Sequence, residues 1–116
     1  MTNPLITKRE KKENSETVLL HIKGRLDMNA LEDFKNVFAD EFDAGNFKIV
    51  LNMSQVNFIV STHLGVIMSN YKKAQSAGGD LKFSSLTEEV YGIFDLLQLT
   101  TILNIYNSDA EALAEF

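Results

Sequence analysis

Ser61, Thr62 and His63 bring two hydroxyls and an imidazole together at one point of the chain. A serine with a histidine nearby suggests a nucleophile and its base. That chemistry also needs a third group to orient the base and donors to receive an oxyanion, and neither is evident around Ser61. The sequence also lacks a Walker loop, a dinucleotide-binding glycine pattern, a G-x-S-x-G elbow and an H-E-x-x-H helix. The expectation is no catalytic residue and no enzymatic activity. Asp40, Glu41 and Asp43 form an acidic cluster without other ligand types close by, and they read as the solvated end of a helix. Cysteine is absent and the only two histidines are His21 and His63. A thiolate metal site or a disulfide framework is therefore ruled out, and neither metal nor cofactor is expected.

The position of the two hydroxyls admits two other readings. An apolar run, Val56 to Val60, leads into Ser61, and a helical pattern begins just after it. Serine and threonine are favoured N-cap residues because their oxygens accept orphan backbone N–H groups, so Ser61 and Thr62 can be caps and nothing more. Alternatively, a helix N-terminus favours an anion through its exposed N–H groups and dipole. A phosphate at Ser61 would bring about −1.5 to −2 charges. The helix would tolerate it, by roughly 0.3–1 kcal/mol in its favour, whereas a partner docked on that surface would be repelled. Such a serine can switch binding off without unfolding the domain.

The elements that must position this turn follow from periodicity. Leu5–Arg9 reads as a first strand or arm, joined through Glu13-Asn14-Ser15 as a turn to a β-rich run at 17–23 that ends at Gly24. A helix follows, with Asn29 and Glu32 spaced as a capping box, a stripe of Leu31, Phe34, Val37, Phe38 and Phe42, and Gly45 past its end. Phe47–Leu51 and Val56–Val60 are strand-like. Leu64, Ile67, Met68, Tyr71 and Ala74 mark a second helix closed by Gly78-Gly79. Leu81–Phe83 is a short strand, Ser85 and Glu88 repeat the capping-box spacing, and Val90, Ile93, Phe94 and Leu97 mark a third helix. Thr101–Ile105 fits an edge strand, and Ser108 or Asp109 can cap a last helix through Leu113. Val66 and Leu96 lie off their stripes and read as exposed. The order ββαβαβαβα predicts an α/β fold: a mixed, mostly parallel sheet of four or five strands with about four helices and an N-terminal hairpin.

At 116 residues, with 45% apolar and 23% charged residues, the chain fits one domain spanning 1–116 with a real core. Residues 1–15 would be its arm or first strand. No apolar run reaches the roughly 20 residues a membrane span needs, and the N-terminus has no signal-peptide hydrophobic region. The cytoplasm is the expected location. The net charge is −5. Residues 1–25 hold six basic and three acidic residues, and the rest holds five basic and thirteen acidic. An acidic body argues against nucleic-acid binding, which needs a basic stripe. The mixed-sign run Lys8–Glu13 reads as a solvated arm or hairpin.

The segment Leu51–Gly65 resembles the STAS family, best known for anti-sigma factor antagonists. Ser54, Val56, Phe58, Ile59, Ser61, Leu64 and Gly65 match the family's strand–turn–helix pattern. Ile22-Lys23-Gly24-Arg25-Leu26-Asp27 is similar to a second motif, and Ile105-Tyr106 with Asp109–Leu113 to the usual ending. The resemblance covers residues 16 to 114. It implies a protein-binding switch whose partner is an anti-sigma serine kinase, with Ser61 as phosphoacceptor. Partner contacts would come from Gly24, Arg25, Asp27 and Asn29 in one loop, and from Ser61, Thr62, His63, Leu64 and Gly65 in the other. A monomer or weak dimer is expected. Three positions depart from the pattern: Val60 replaces an Asp, His63 a Gly and Asn52 an Asp. The two lost acids are expected to alter the electrostatics around Ser61, and His63 is read as an interface residue or one facing solvent. These departures also admit a second role, a phosphorylation-independent adaptor subunit of a transporter or signalling assembly.

Overall fold

The computed structural model describes residues 2–12 and 16–116, so the Glu13-Asn14-Ser15 turn lies outside the described residues. The chain forms β1 (Ile6–Lys11), β2 (Thr17–Leu26), α1 (Leu31–Asp43), β3 (Lys48–Ile59), α2 (Ser61–Ser76), β4 (Asp80–Ser84), α3 (Glu88–Leu96), β5 (Asn104–Tyr106) and α4 (Asp109–Ala114). Short 3₁₀ turns at Met28–Ala30 and Leu99–Thr101 precede α1 and β5. The five strands lie in sequence order in one sheet. β1 is antiparallel to β2, and every other neighbouring pair is parallel. The mixed sheet and the helix count expected from periodicity are therefore present.

Strand alternation splits the side chains between two faces. Val18, Leu20, Ile22, Ile49, Leu51, Met53, Leu81 and Phe83 join Phe34, Val37, Phe38, Leu64, Ile67, Val90 and Phe94 of α1–α3 in one buried cluster. On the opposite face Leu19 and Val50 pack with Ala112 of α4. Beside them the Asn52 amide and the Ser84 hydroxyl both donate to Asp109 Oδ1, at 2.8 and 2.5 Å.

Several boundaries differ from the periodic reading. β2 continues past Gly24 to Leu26, because Gly24 takes φ 114° and the register shifts there instead of ending. The runs 47–51 and 56–60 are halves of one strand, β3. Their apparent break at Ser54 and Gln55 is a stretch where both side chains are exposed. The proposed capping boxes are not formed. Asp27, not Asn29, accepts an N–H bond from residue 29, and α1 opens at Ala30 without a side-chain cap. Thr87 caps α3, while Ser85 sits in the left-handed region at φ 57°. Ser108 caps α4 as expected. Leu97 leaves its stripe and is half exposed. The edge strand starts only at Asn104, after a 3₁₀ turn. Val66 is half-buried against the core, and Leu96 is exposed.

The acidic cluster also divides. Asp40 and Asp43 are exposed, but Glu41 is buried. It accepts bonds from Arg9 Nε at 2.7 Å and Nη2 at 2.9 Å, and from the Asn46 amide at 3.0 Å. Lys11 Nζ donates to Asn46. Burial alone would push the Glu41 carboxyl up. The bonds from Arg9 and Asn46, with the charges of Arg9 and Lys11, outweigh burial and hold it below the ordinary glutamate range. A depressed carboxyl contributes stability above the ordinary glutamate range and loses it as pH falls through that range and below. Glu41→Gln should therefore cost about 1.5 kcal/mol at neutral pH, a value restrained by the half-exposed Arg9. The difference should close in urea melts as pH is lowered past that range. An unchanged difference at acid pH would overturn the assignment.

Candidate functional site

The long parallel pairing of β2 with β3 creates the site. β4 accompanies β3 only from Lys48 to Asn52, whereas β2 follows it to the Leu26–Ile59 pair. The loop after β2 and the turn after β3 thus leave the sheet side by side. Val60 N–H donates to the Leu26 carbonyl at 3.0 Å and locks the two exits together. Asp27 Oδ1 accepts from Asn29 N at 3.0 Å, and its carbonyl accepts from Ala30 N at 3.1 Å, shaping the 3₁₀ turn that displays Met28. Arg25 lies 3.7 Å from Asp27 Oδ2 and 3.7 Å over the Phe58 ring.

Val60, in an extended conformation, is the N-cap of α2, and no side chain caps the helix. Ser61 and Thr62 are therefore its first two residues and not caps. Both are exposed, with hydroxyls unspent on the helix end. A phosphate on Ser61 would sit in the first turn, where the exposed N–H groups and the helix dipole favour negative charge.

His63 contradicts its expected exposure. Its side chain is buried, with Nε2 2.7 Å from the Asp27 carbonyl oxygen and the ring centroid 5.0 Å from that of Phe34. The helix turns the residue inward because Leu64 and Ile67 beside it must face the core, and the Asp27 carbonyl offers the imidazole a partner. Leu64 is buried as well. Of the nine residues expected at the partner surface, Gly24, Arg25, Asn29, Ser61, Thr62 and Gly65 are exposed, Asp27 is half-buried, and His63 and Leu64 lie beneath. Met28, inside the same Gly24–Asn29 loop but not singled out there, is 58% exposed. Its signal was an apolar residue in a short polar loop, outside every stripe. Asn52 does not belong to this turn. It lies seven residues before Ile59, roughly 20 Å along the strand, bonded to Asp109. A carboxylate at position 52 would face the Asp109 carboxylate, so the amide suits the place.

Among the described residues, no cluster of His, Asp or Glu is arranged to hold a metal ion, and no helix is long and apolar enough to cross a membrane.

Comparison with known proteins agrees with this geometry. A family model described as the STAS domain matches residues 8–112. A Thermotoga maritima protein provisionally named an anti-sigma factor antagonist is 35% identical over 101 residues, covering 86% of this chain and 89% of its own. The anti-sigma-B factor antagonist of Bacillus subtilis is 27% identical over 95 residues, covering 81% and 85%. A crystal structure of a Thermotoga maritima protein with the same provisional name superposes with a TM-score of 0.86 at 30% identity, covering 97% of this chain and 95% of that one.

Proposed function

The chain belongs to the STAS domain family, and from that premise we propose that it acts as an anti-sigma factor antagonist, a binding protein and not an enzyme. Its partner is an anti-sigma serine kinase in the same cytoplasm. Docking uses the exposed residues of the two adjoining loops: Gly24, Arg25, Met28 and Asn29 on one side, Ser61, Thr62 and Gly65 on the other. Phosphorylation of Ser61 releases the partner. One observation carries this reading: Ser61 is an exposed first residue of α2, with a hydroxyl that the helix does not use. A capping hydroxyl would be occupied, and its modification would cost helix stability. This one is free to accept phosphate and to change only what docks.

Incubation with the cognate kinase and ATP should add one phosphate to the wild type and none to Ser61→Ala. Ser61→Asp should weaken kinase binding about tenfold, by placing charge in a surface that desolvates on docking. Its thermal midpoint should stay near wild type, since an acid in the first turn suits the helix dipole. Full labelling of Ser61→Ala would sink the site assignment.

A second reading is a phosphorylation-independent adaptor subunit of a transporter or signalling assembly. The observation favouring it is Val60, which leaves no acid directly before Ser61. It predicts stable co-purification with such an assembly and no labelling of the wild type by any ATP-dependent kinase.

A further inference from the structure

His63 occupies a place where nothing in the docking reading needs a histidine. Its side chain is buried. A carbonyl oxygen can only accept, so the 2.7 Å contact with Asp27 requires the hydrogen on Nε2. Nδ1 is buried and, among the described residues, has no hydrogen-bond partner. Three elements fix the ring: its own helix α2, the Asp27 carbonyl of the loop after β2, and Phe34 of α1. The carbonyl it holds is the one that also closes the Met28–Ala30 turn by accepting from Ala30 N.

We infer that His63 is a positioning residue. It ties the loop bearing Met28 and Asn29 to the first turn of α2, so that the loop and Ser61 are presented as one preformed surface. This deepens the docking reading and rests on it for its use, but the tie itself is a property of the free chain. The Val60–Leu26 backbone bond also joins the two exits, but it fixes where the loop starts and not where the Asp27–Ala30 turn sits against α2. The imidazole acts one residue further on, at the base of the 3₁₀ turn. Holding a loop in its bound conformation lowers the ordering cost of association, so the side chain that holds it sets affinity without touching the partner. Through the same bond, a change at the start of α2 is felt at Met28.

The test separates the Nε2 donor from mere bulk. A glutamine amide nitrogen reaches the place of Nε2, whereas an asparagine amide nitrogen reaches only that of Nδ1. In NMR spectra of the full chain, His63→Gln should leave the amide shifts and hydrogen exchange of Met28, Asn29 and Ala30 near wild type. His63→Asn and His63→Gly should shift those amides and speed the exchange of Asn29 and Ala30 about tenfold, the loss of one bond, while Ile67 in mid-helix keeps its protection. If His63→Asn leaves the loop amides unchanged, or if His63→Gln disturbs them as much as His63→Gly does, the inference is overturned. Should His63→Gly fail to fold, the Gln–Asn pair decides alone. No partner enters these measurements. Failure of the chain to bind a kinase would count against the docking reading and not against the tie, and failure of the loop response counts against the tie only.

Discussion

Phe34→Ala should destabilise the protein by about 4 kcal/mol, within the range of buried aromatic truncations. Phe34 is fully buried on α1. It meets Phe38 edge-on, with centroids 5.2 Å apart, and the His63 ring at 5.0 Å. Truncation loses the transfer energy of the ring, the edge-on contact and the filled volume. The cavity cannot collapse easily, because sheet residues of β2 and β3 form the floor of the same cluster. A domain of this size has only about 5–15 kcal/mol in total, so a large share of its stability goes at once. The urea midpoint should fall with little change in slope. The damage should also reach the surface: without Phe34, His63 loses one of its three supports, and the amides of Met28 and Asn29 should shift as well. A cost below about 1.5 kcal/mol would show that the core relaxes around the gap and that Phe34 is not its centre.

The order of elements was legible because it depends on local repetition. The stripe Phe34, Val37, Phe38 and the stripe Leu64, Ile67, Ala74 are buried as their spacing required. Gly45 and Gly78 follow α1 and α2 as such residues usually do. What misled was competition between equally good local candidates. Asp27 and Asn29 both stand near the start of α1, and Ser85 and Thr87 near that of α3, and only the path of the chain decides which side-chain oxygen meets an N–H. β3 was cut in two because Ser54 and Gln55 interrupt the apolar run. They face outward where β4 has ended and only β2 remains alongside.

The site was half legible for a related reason. Ser61 and the Gly24–Asn29 loop could be found by position, since their motifs are contiguous in sequence. The burial of His63, like that of Glu41, could not, because each is buried by a partner distant in the chain. Glu41 meets Arg9, 32 residues before it, and His63 meets Asp27, 36 residues before it. A polar residue on a helix reads as solvated unless something satisfies its charge or its donors, and here the satisfying group comes from β1 or from the loop after β2. The two lost acids separate in the same way. Val60 truly borders Ser61, whereas Asn52 belongs to a polar pair on the far face of the sheet.

The pair Gly78-Gly79 shows what a backbone adds to a motif, and it yields the second large effect. By sequence both residues end α2 alike. Gly78 adopts φ 82°, and a Cβ built there would meet nothing. Gly78→Ala should therefore cost only the left-handed strain, about 1 kcal/mol. Gly79 needs its missing side chain for space: a Cβ would fall 2.0 Å from the Phe47 carbonyl oxygen and 2.5 Å from its carbon. Those are backbone atoms at the entry to β3, and the same oxygen accepts the Asp80 N–H at 3.0 Å as β4 begins. Alanine must push the turn off β3 and break that bond, and no rotamer change relieves the overlap. Gly79→Ala should cost about 3 kcal/mol, the upper end for overpacking with a lost hydrogen bond. In parallel urea titrations the two variants should differ by a clear margin, with Gly79→Ala the weaker and the Asp80 and Leu81 amides exchanging faster in it alone. Equal midpoints would mean that the α2–β4 turn shifts freely, and the close approach of Gly79 to Phe47 would then carry no structural weight.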